Sequence, residues 1–327
     1  MPLLKRLALV LTTGYIFLFT SELVFWSAHG DKLLTTGEFC ATWLAYSGLA
    51  YAVLILVHDF RVRSPWAVFL CGAVLGWLAE GVIVHTMYES LPLSIAWTGL
   101  AWHALLTVGF GWYGVRQILA KNRPALTAAV AVSSGLCWGY WAIFWWTERA
   151  VPVPPPRFAR YAFAASLAFA GCQLFYGLLR RFRFDPTPVE RWIIGSIAAI
   201  LYVMSMDWSR PAVFAILPVL LGLTFLALRK NRMREKREDF LQHTLKARIG
   251  TGNVLLLLLA PATASAFYWL AWEAELRWQT SWVVYLATVS AGLFTYVYAV
   301  VSMLFLGPGE NGRCPCFFKA RRAGASP

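Results

Sequence analysis

Two neighbouring stretches place ionisable side chains inside otherwise apolar sequence: L-A-E-G-V-I-V-H-T-M-Y-E-S-L-P at 78–92 and A-W-T-G-L-A-W-H-A-L-L at 96–106. They contribute Glu80, His85, Glu89 and His103. An ionised group at the centre of a membrane helix costs about 2.5–3.5 kcal/mol on insertion scales, so such residues are functional candidates by default. A carboxylate beside an imidazole can move protons in hydrolysis or group transfer, because histidine titrates near neutrality. The same two ligand types with an open position can hold Zn²⁺. A plainer reading is a buried hydrogen bond joining two helices, worth about 0.6 kcal/mol.

Spacing ranks the candidates. Glu80 stands 12 residues before Pro92 and His103 stands 11 after it. At about 1.5 Å per residue a helical hairpin turning near Pro92 puts the two at similar depth. Glu80 and His103 are therefore the expected acid/base pair. His85 and Glu89 are four residues apart and share one face of a continuous helix nearer the surface. Glu80 and His85 differ by roughly 140° around that helix and point different ways. Glu22, near the end of the first apolar run, either reaches the interface or faces the same region. Glu22, His85, Glu89 and Trp102 are the expected substrate contacts. No metal site is assigned and the cofactor stays open. The sequence contains no H-E-x-x-H, no aspartate-rich prenyl-diphosphate motif and no G-x-S-x-G.

The elements that position these residues follow from composition. Hydrophobic residues make up 59% of the 327 and charged residues 14%, with a mean hydropathy of +0.58. Soluble domains carry roughly a quarter charged residues. The expected fold is an all-α, polytopic transmembrane bundle of about ten helices. Apolar runs bounded by charges or prolines fall at 7–26, 39–57, 65–88, 93–119, 125–146, 158–179, 192–206, 211–228, 254–272 and 278–305. The seventh is short, and with the eighth it could form a re-entrant pair. The chain then divides into an eight-helix region (1–228), a basic segment (229–250), a C-terminal hairpin (251–306) and a basic tail (307–327). The N-terminal run follows Lys5 and Arg6 like a signal peptide, yet exceeds the usual h-region and reads as an anchor.

The net charge of +13 is explained by topology and gives no reason to expect nucleic acid. With the N-terminus inside, Lys32, Arg149, Arg157, Arg160, Arg210 and Arg277 fall outside, and the other 23 of the 29 basic residues fall inside. That asymmetry predicts both termini in the cytoplasm of a cell with a plasma (inner) membrane. Trp26, Tyr88, Trp97, Trp145, Trp146, Trp208, Trp272 and Trp278 mark the outer boundary as an aromatic belt. Cys40, Cys71, Cys137 and Cys172 sit in apolar runs, and Cys314 and Cys316 form a lone C-P-C. Gly72 and Gly76 make a G-x-x-x-G suited to close helix approach. Pro218 and Pro261 are candidate kinks. The V-P-V-P-P-P run at 151–156 must be extended. Phe240, Leu241, Thr244, Leu245 and Ile249 share a face and read as an interfacial helix against anionic lipid or, equally, as a solvated extension of the eighth span.

Three functions fit. The first is binding or processing of a hydrophobic or lipid-like substrate in an outward-facing intramembrane pocket lined by Glu and His. The second is a ten-helix transporter with proton-coupled carboxylates. The third is a non-catalytic membrane subunit of a larger complex. The expected partners are the lipid bilayer, a lipid-like ligand and other membrane subunits.

Overall fold

The structure, a computed structural model, describes residues 2–29, 35–149, 151–180 and 182–305. Asp31, Lys32, Arg181 and the tail with Arg313, Cys314, Cys316, Lys319, Arg321 and Arg322 lie outside the described residues. Among the described residues the regular elements are all helical. They are α1 (Leu3–Trp26), α2 (Thr36–Asp59), α3 (Pro65–Ile83), α4 (Ile95–Gly114, continued by Val115–Ala120), α5 (Pro124–Thr147) and α6 (Pro155–Leu178). There follow α7 (Pro188–Ser205), α8 (Ile216–Arg234), α9 (Phe240–Leu245), α10 (Thr251–Glu273) and α11 (Thr280–Phe305). All except α4, α8 and α9 are long and apolar enough to cross a membrane, eight in all among the described residues. The protein is an integral, multi-pass helical bundle.

The helices start where local chemistry dictates. Thr35 with Glu38 and Thr187 with Glu190 form capping boxes, and Ser64 caps α3 ahead of Pro65. Each satisfies backbone N–H groups that a helix start leaves without partners. Proline occupies the first turn of α3, α5, α6 and α7, where its missing N–H costs nothing. The cap at Thr187 starts α7 earlier than its apolar run implies. The helix therefore reaches 18 residues, long enough to span. None of its residues is buried, and Trp192, Ile197 and Met204 point outward. The proline run is extended only up to Pro154, whose ψ is 141°; Pro155 already opens α6. Pro218 lies in the first turn of α8 rather than at a mid-helix kink. Pro261 follows a 3₁₀ stretch, Leu256–Leu258, that breaks α10 near its start.

Contacts near the helix termini sort the helix ends into two sets. At the end holding the start of α1, Arg6 pairs with Glu190, and Arg191 clamps Asp59 through two bonds of 2.7 Å. There too Asn231 donates to the Phe60 carbonyl and Arg234 to that of Met303. At the far end, Trp141 and Trp145 donate to the Phe25 carbonyl and Ser281 bonds Glu148.

One sequence expectation changes here. The apolar face of α9 packs on the bundle instead of lying on lipid: Phe240, Leu241, Thr244 and Leu245 are buried. The Phe240 ring meets Trp112 at 4.7 Å and Tyr113 at 5.1 Å, and its N–H donates to the Val62 carbonyl. Six residues form too short a helix to stand alone at an interface, and docking satisfies both its side chains and its backbone. Of the far-end aromatic residues, Trp26 packs on Trp145 at 4.8 Å and Trp146 on Trp272 at 4.7 Å, while Trp208 and Trp278 are exposed.

Arg116 fastens α9 to the bundle. The residue is 1% exposed, donates to the Gln173 and Thr244 carbonyls at 3.3 Å and lies 4.5 Å over the Tyr176 ring. Arg116→Met keeps most of the volume but strips two buried carbonyls of their donor. It is expected to cost about 2 kcal/mol, read as a lower unfolding midpoint in detergent micelles together with faster proteolysis around residues 236–250.

Candidate functional site

Three helices change their winding where the polar residues lie. α1 widens to π-helical turns (i→i+5) at Phe19–Leu23, α3 does so at Ala79–Ile83, and α4 is π-wound from Ile95 to Gly114. Such turns displace side chains and carbonyls from their regular α positions and recur at functional sites. Ser21 and Glu22 occupy the first, Glu80 the second, and His103 and Thr107 the third.

Glycines bring α3 and α4 together. A Cβ added at Gly76 would stand 2.3 Å from the Gly99 carbonyl oxygen, and one at Gly72 would stand 2.7 Å from the Ala104 Cα. The G-x-x-x-G of α3 thus packs backbone to backbone on α4. Glu80 lies one turn to one side of the Gly76–Gly99 contact and His103 one turn to the other. Their side chains meet across it, with Glu80 Oε1 2.9 Å from His103 Nε2. Both are enclosed, Glu80 at 8% and His103 at 4% exposure. α1 also comes close to α4, with the Thr20 side chain seated over Gly111, where an added Cβ would stand 2.4 Å from Thr20 Cγ2.

The hydrogen bonds continue on both sides of this pair. His103 Nδ1 lies 3.0 Å from Ser21 Oγ, which lies 2.8 Å from Thr107 Oγ1. The Thr86 hydroxyl donates to Glu80 Oε2. A second carboxylate stands alongside: Glu22 accepts from Tyr46 at 2.7 Å and from Trp26 at 2.8 Å. The Tyr46 ring centroid is 6.3 Å from that of His103. Trp102 turns its indole N–H to the Thr20 and Ser21 carbonyls at 3.2 and 3.1 Å, serving acceptors that the wide turn displaces. Its ring packs on Phe25 at 4.8 Å and on Trp141 at 5.3 Å.

The structure therefore gathers Glu80, His103, Trp102 and Glu22 at one end of the bundle, within α1, α3 and α4. It does not gather His85 and Glu89. α3 ends at Ile83, His85 takes a left-handed φ of 62°, and Thr86–Tyr88 form a 3₁₀ turn. The shared helical face is absent because the helix stops before reaching it. Both residues are exposed at the surface.

Four participants escape a reading of charges: Ser21, Thr107, Tyr46 and Thr86. Single hydroxyls in apolar helices are common. The one available signal was the T-S-E run at 20–22, three polar residues together inside an apolar span. Among the described residues no group of three or more His, Cys, Asp or Glu side chains is placed to hold a metal ion. Two surface pockets lie away from the site, one of about 480 Å³ along α7 at Arg191 and Trp192, the other of about 460 Å³ beside Trp146 and Trp272.

Chemically, the arrangement is an imidazole held between a carboxylate and a hydroxyl, walled by aromatic rings and withdrawn from water. No family model, curated protein or solved structure matches this chain.

Proposed function

We propose that the protein binds an amphipathic, lipid-like molecule at the far end of its bundle and acts on it with Glu80 and His103 as the proton-handling pair. One observation carries the reading: three separate helices each unwind locally, and the polar residues at those turns form one buried hydrogen-bonded cluster. Displaced helical winding and buried polar groups both cost stability. A cluster serving packing alone could be replaced by apolar contacts at no loss. Trp102, Glu22 and the surrounding indoles supply the mixed apolar and polar lining of such sites.

For topology we infer ten spans, with α4 and α8 added to the eight. α4 packs between α3 and α11, and its His, Trp and Gly content lowers its hydropathy without shortening it. The two sets of helix ends are those that ten alternating spans require, and the 23-to-6 division of basic residues favours both termini in the cytoplasm of a plasma (inner) membrane.

The test is lipid turnover. Purified protein in liposomes of total lipid extract is followed by lipid mass spectrometry. Wild type is expected to consume one lipid class, and Glu80→Gln and His103→Gln to slow this by about 100-fold or more while retaining their unfolding midpoints. Midpoints and turnover falling together would instead assign the pair to structure. Flux of a solute that follows the pH gradient, without chemical change, would favour the transporter reading.

A further inference from the structure

We propose that Ser21 is a nucleophile and that the molecule acted on is a carboxylic ester with an apolar chain. This rests on Glu80 and His103 as the proton-handling pair and adds the atom that bonds to substrate.

The orientation of Ser21 sets it apart from its neighbours. Hydroxyls in membrane helices usually return their proton to a carbonyl one turn back. Thr13, Thr20, Ser47 and Thr263 all do so, to Leu9, Ile16, Trp43 and Leu259. Ser21 turns its hydroxyl to His103 and Thr107. With Glu80 as the carboxylate, His103 Nε2 carries the hydrogen donated to it across 2.9 Å. The Nδ1 lone pair then faces the Ser21 hydroxyl across 3.0 Å. A nucleophile, a base and a group orienting that base stand in order, within hydrogen-bond reach of one another. Such constellations are recognised by geometry and roles, and here the two ring nitrogens are interchanged relative to the familiar serine triad.

The chemistry balances with water as co-reactant. Ser21 Oγ bonds to the ester carbonyl carbon as its proton passes to His103 Nδ1, and the carbonyl π pair moves to oxygen. The Thr107 hydroxyl is close enough to donate to that oxyanion. As the pair returns, the bond from carbon to the alkoxy oxygen breaks, and the alcohol leaves with the proton from Nδ1. Water then loses a proton to Nδ1 and attacks the acyl-Ser21 ester. Collapse releases the carboxylic acid and restores the serine hydroxyl.

An alkyl-chain fluorophosphonate, which phosphonylates activated serines with loss of fluoride, tests this on full-length protein in liposomes. Peptide mass spectrometry is expected to find the adduct at Ser21, absent in Ser21→Ala and formed at least about tenfold more slowly in His103→Ala. As Ser21→Ala can weaken folding, Ser21→Cys supplies a second readout. A long-chain iodoacetamide should alkylate that thiol, again at least about tenfold more slowly once His103→Ala is added. No adduct on folded wild type, equal labelling of Ser21→Ala, or alkylation indifferent to His103 would overturn the assignment. Lipid turnover that survives Ser21→Ala but not Glu80→Gln or His103→Gln removes the nucleophile and keeps the pair. Turnover indifferent to all three removes both.

Discussion

Gly76→Ala is expected to cost about 3 kcal/mol, the upper part of the range for overpacking, and to separate Glu80 from His103. The added methyl carbon would lie 2.3 Å from the Gly99 carbonyl oxygen, 2.9 Å from its carbonyl carbon and 2.7 Å from its Cα. All three are backbone atoms of a buried helix, so no side chain can swing aside to make room. The helices must part, and the 2.9 Å bond between Glu80 and His103 spans that contact. One methyl group should therefore lower the unfolding midpoint and suppress lipid turnover and Ser21 labelling together. Gly171→Ala is the matched control, because nothing lies within 4 Å of the Cβ it would add. Alanine also favours a helix over glycine by about 1 kcal/mol, so that variant should be at least as stable as wild type. Equal stability of the two variants would mean that α3 and α4 do not depend on the glycine contact.

The contrast between Gly76 and Gly171 also shows how far a sequence can be read. Hydropathy and charge specify which segments are helices, since the bilayer requires every backbone group to be satisfied within a segment. They locate Gly76 in a G-x-x-x-G without naming the helix it meets. The approach of Glu80 to His103 was legible from their positions around Pro92, although by a simpler route than the protein takes. A uniform hairpin would put the two at equal depth. In fact α3 ends at Ile83 and the pair meets across the glycine contact.

What stayed hidden depends on departures from uniform helix. His85 and Glu89 share a face only if α3 continues through them, and the left-handed turn at His85 prevents it. A hydropathy window assigns such a turn no cost. Ser21 and Thr107 are hidden for the opposite reason, since nothing in their residue types distinguishes them from hydroxyls that bond their own helix. Thr107 follows His103 by four residues on α4, and Ser21 reaches both only through the packing of α1 on α4, a property of the folded chain. Glu22 had two readings, interface or interior, and its bonds from Tyr46 and Trp26 turn it toward the bundle. Phe240 and its neighbours carried an amphipathic pattern that lipid or protein could satisfy equally, and Arg116 lies where it holds them to protein.

His29 predicts how stability responds to acid. It lies beyond the last residue of α1, is 1% exposed and stacks 6.1 Å from the Trp145 ring. Tyr268 donates its hydroxyl hydrogen to the Val153 carbonyl at 2.8 Å, so its oxygen accepts from His29 Nε2 at 3.1 Å. The imidazole is thus suited to its neutral form. Burial opposes the charged form and lowers its pKa from the ordinary 6.5 to about 4, more than the neighbouring backbone groups of Ser27 and Trp26 raise it. Above pH 6.5 both folded and unfolded chains hold the ring neutral, and its contribution is complete. As pH falls from 6.5 toward 4 the unfolded chain takes up a proton that the folded one refuses, and stability is lost across that window. At about 1.4 kcal/mol per pKa unit the loss approaches about 3 kcal/mol. Unfolding midpoints in micelles at pH 7, 5.5 and 4.5 measure it against His29→Phe, which keeps a ring in the same wall but cannot titrate. The variant is expected to begin less stable at pH 7, having lost the bond to Tyr268, and to fall less steeply than wild type below pH 6.5. Parallel slopes for the two proteins would show that His29 gains its proton in the folded chain as readily as in the unfolded one, and that the far end of the bundle admits water around it.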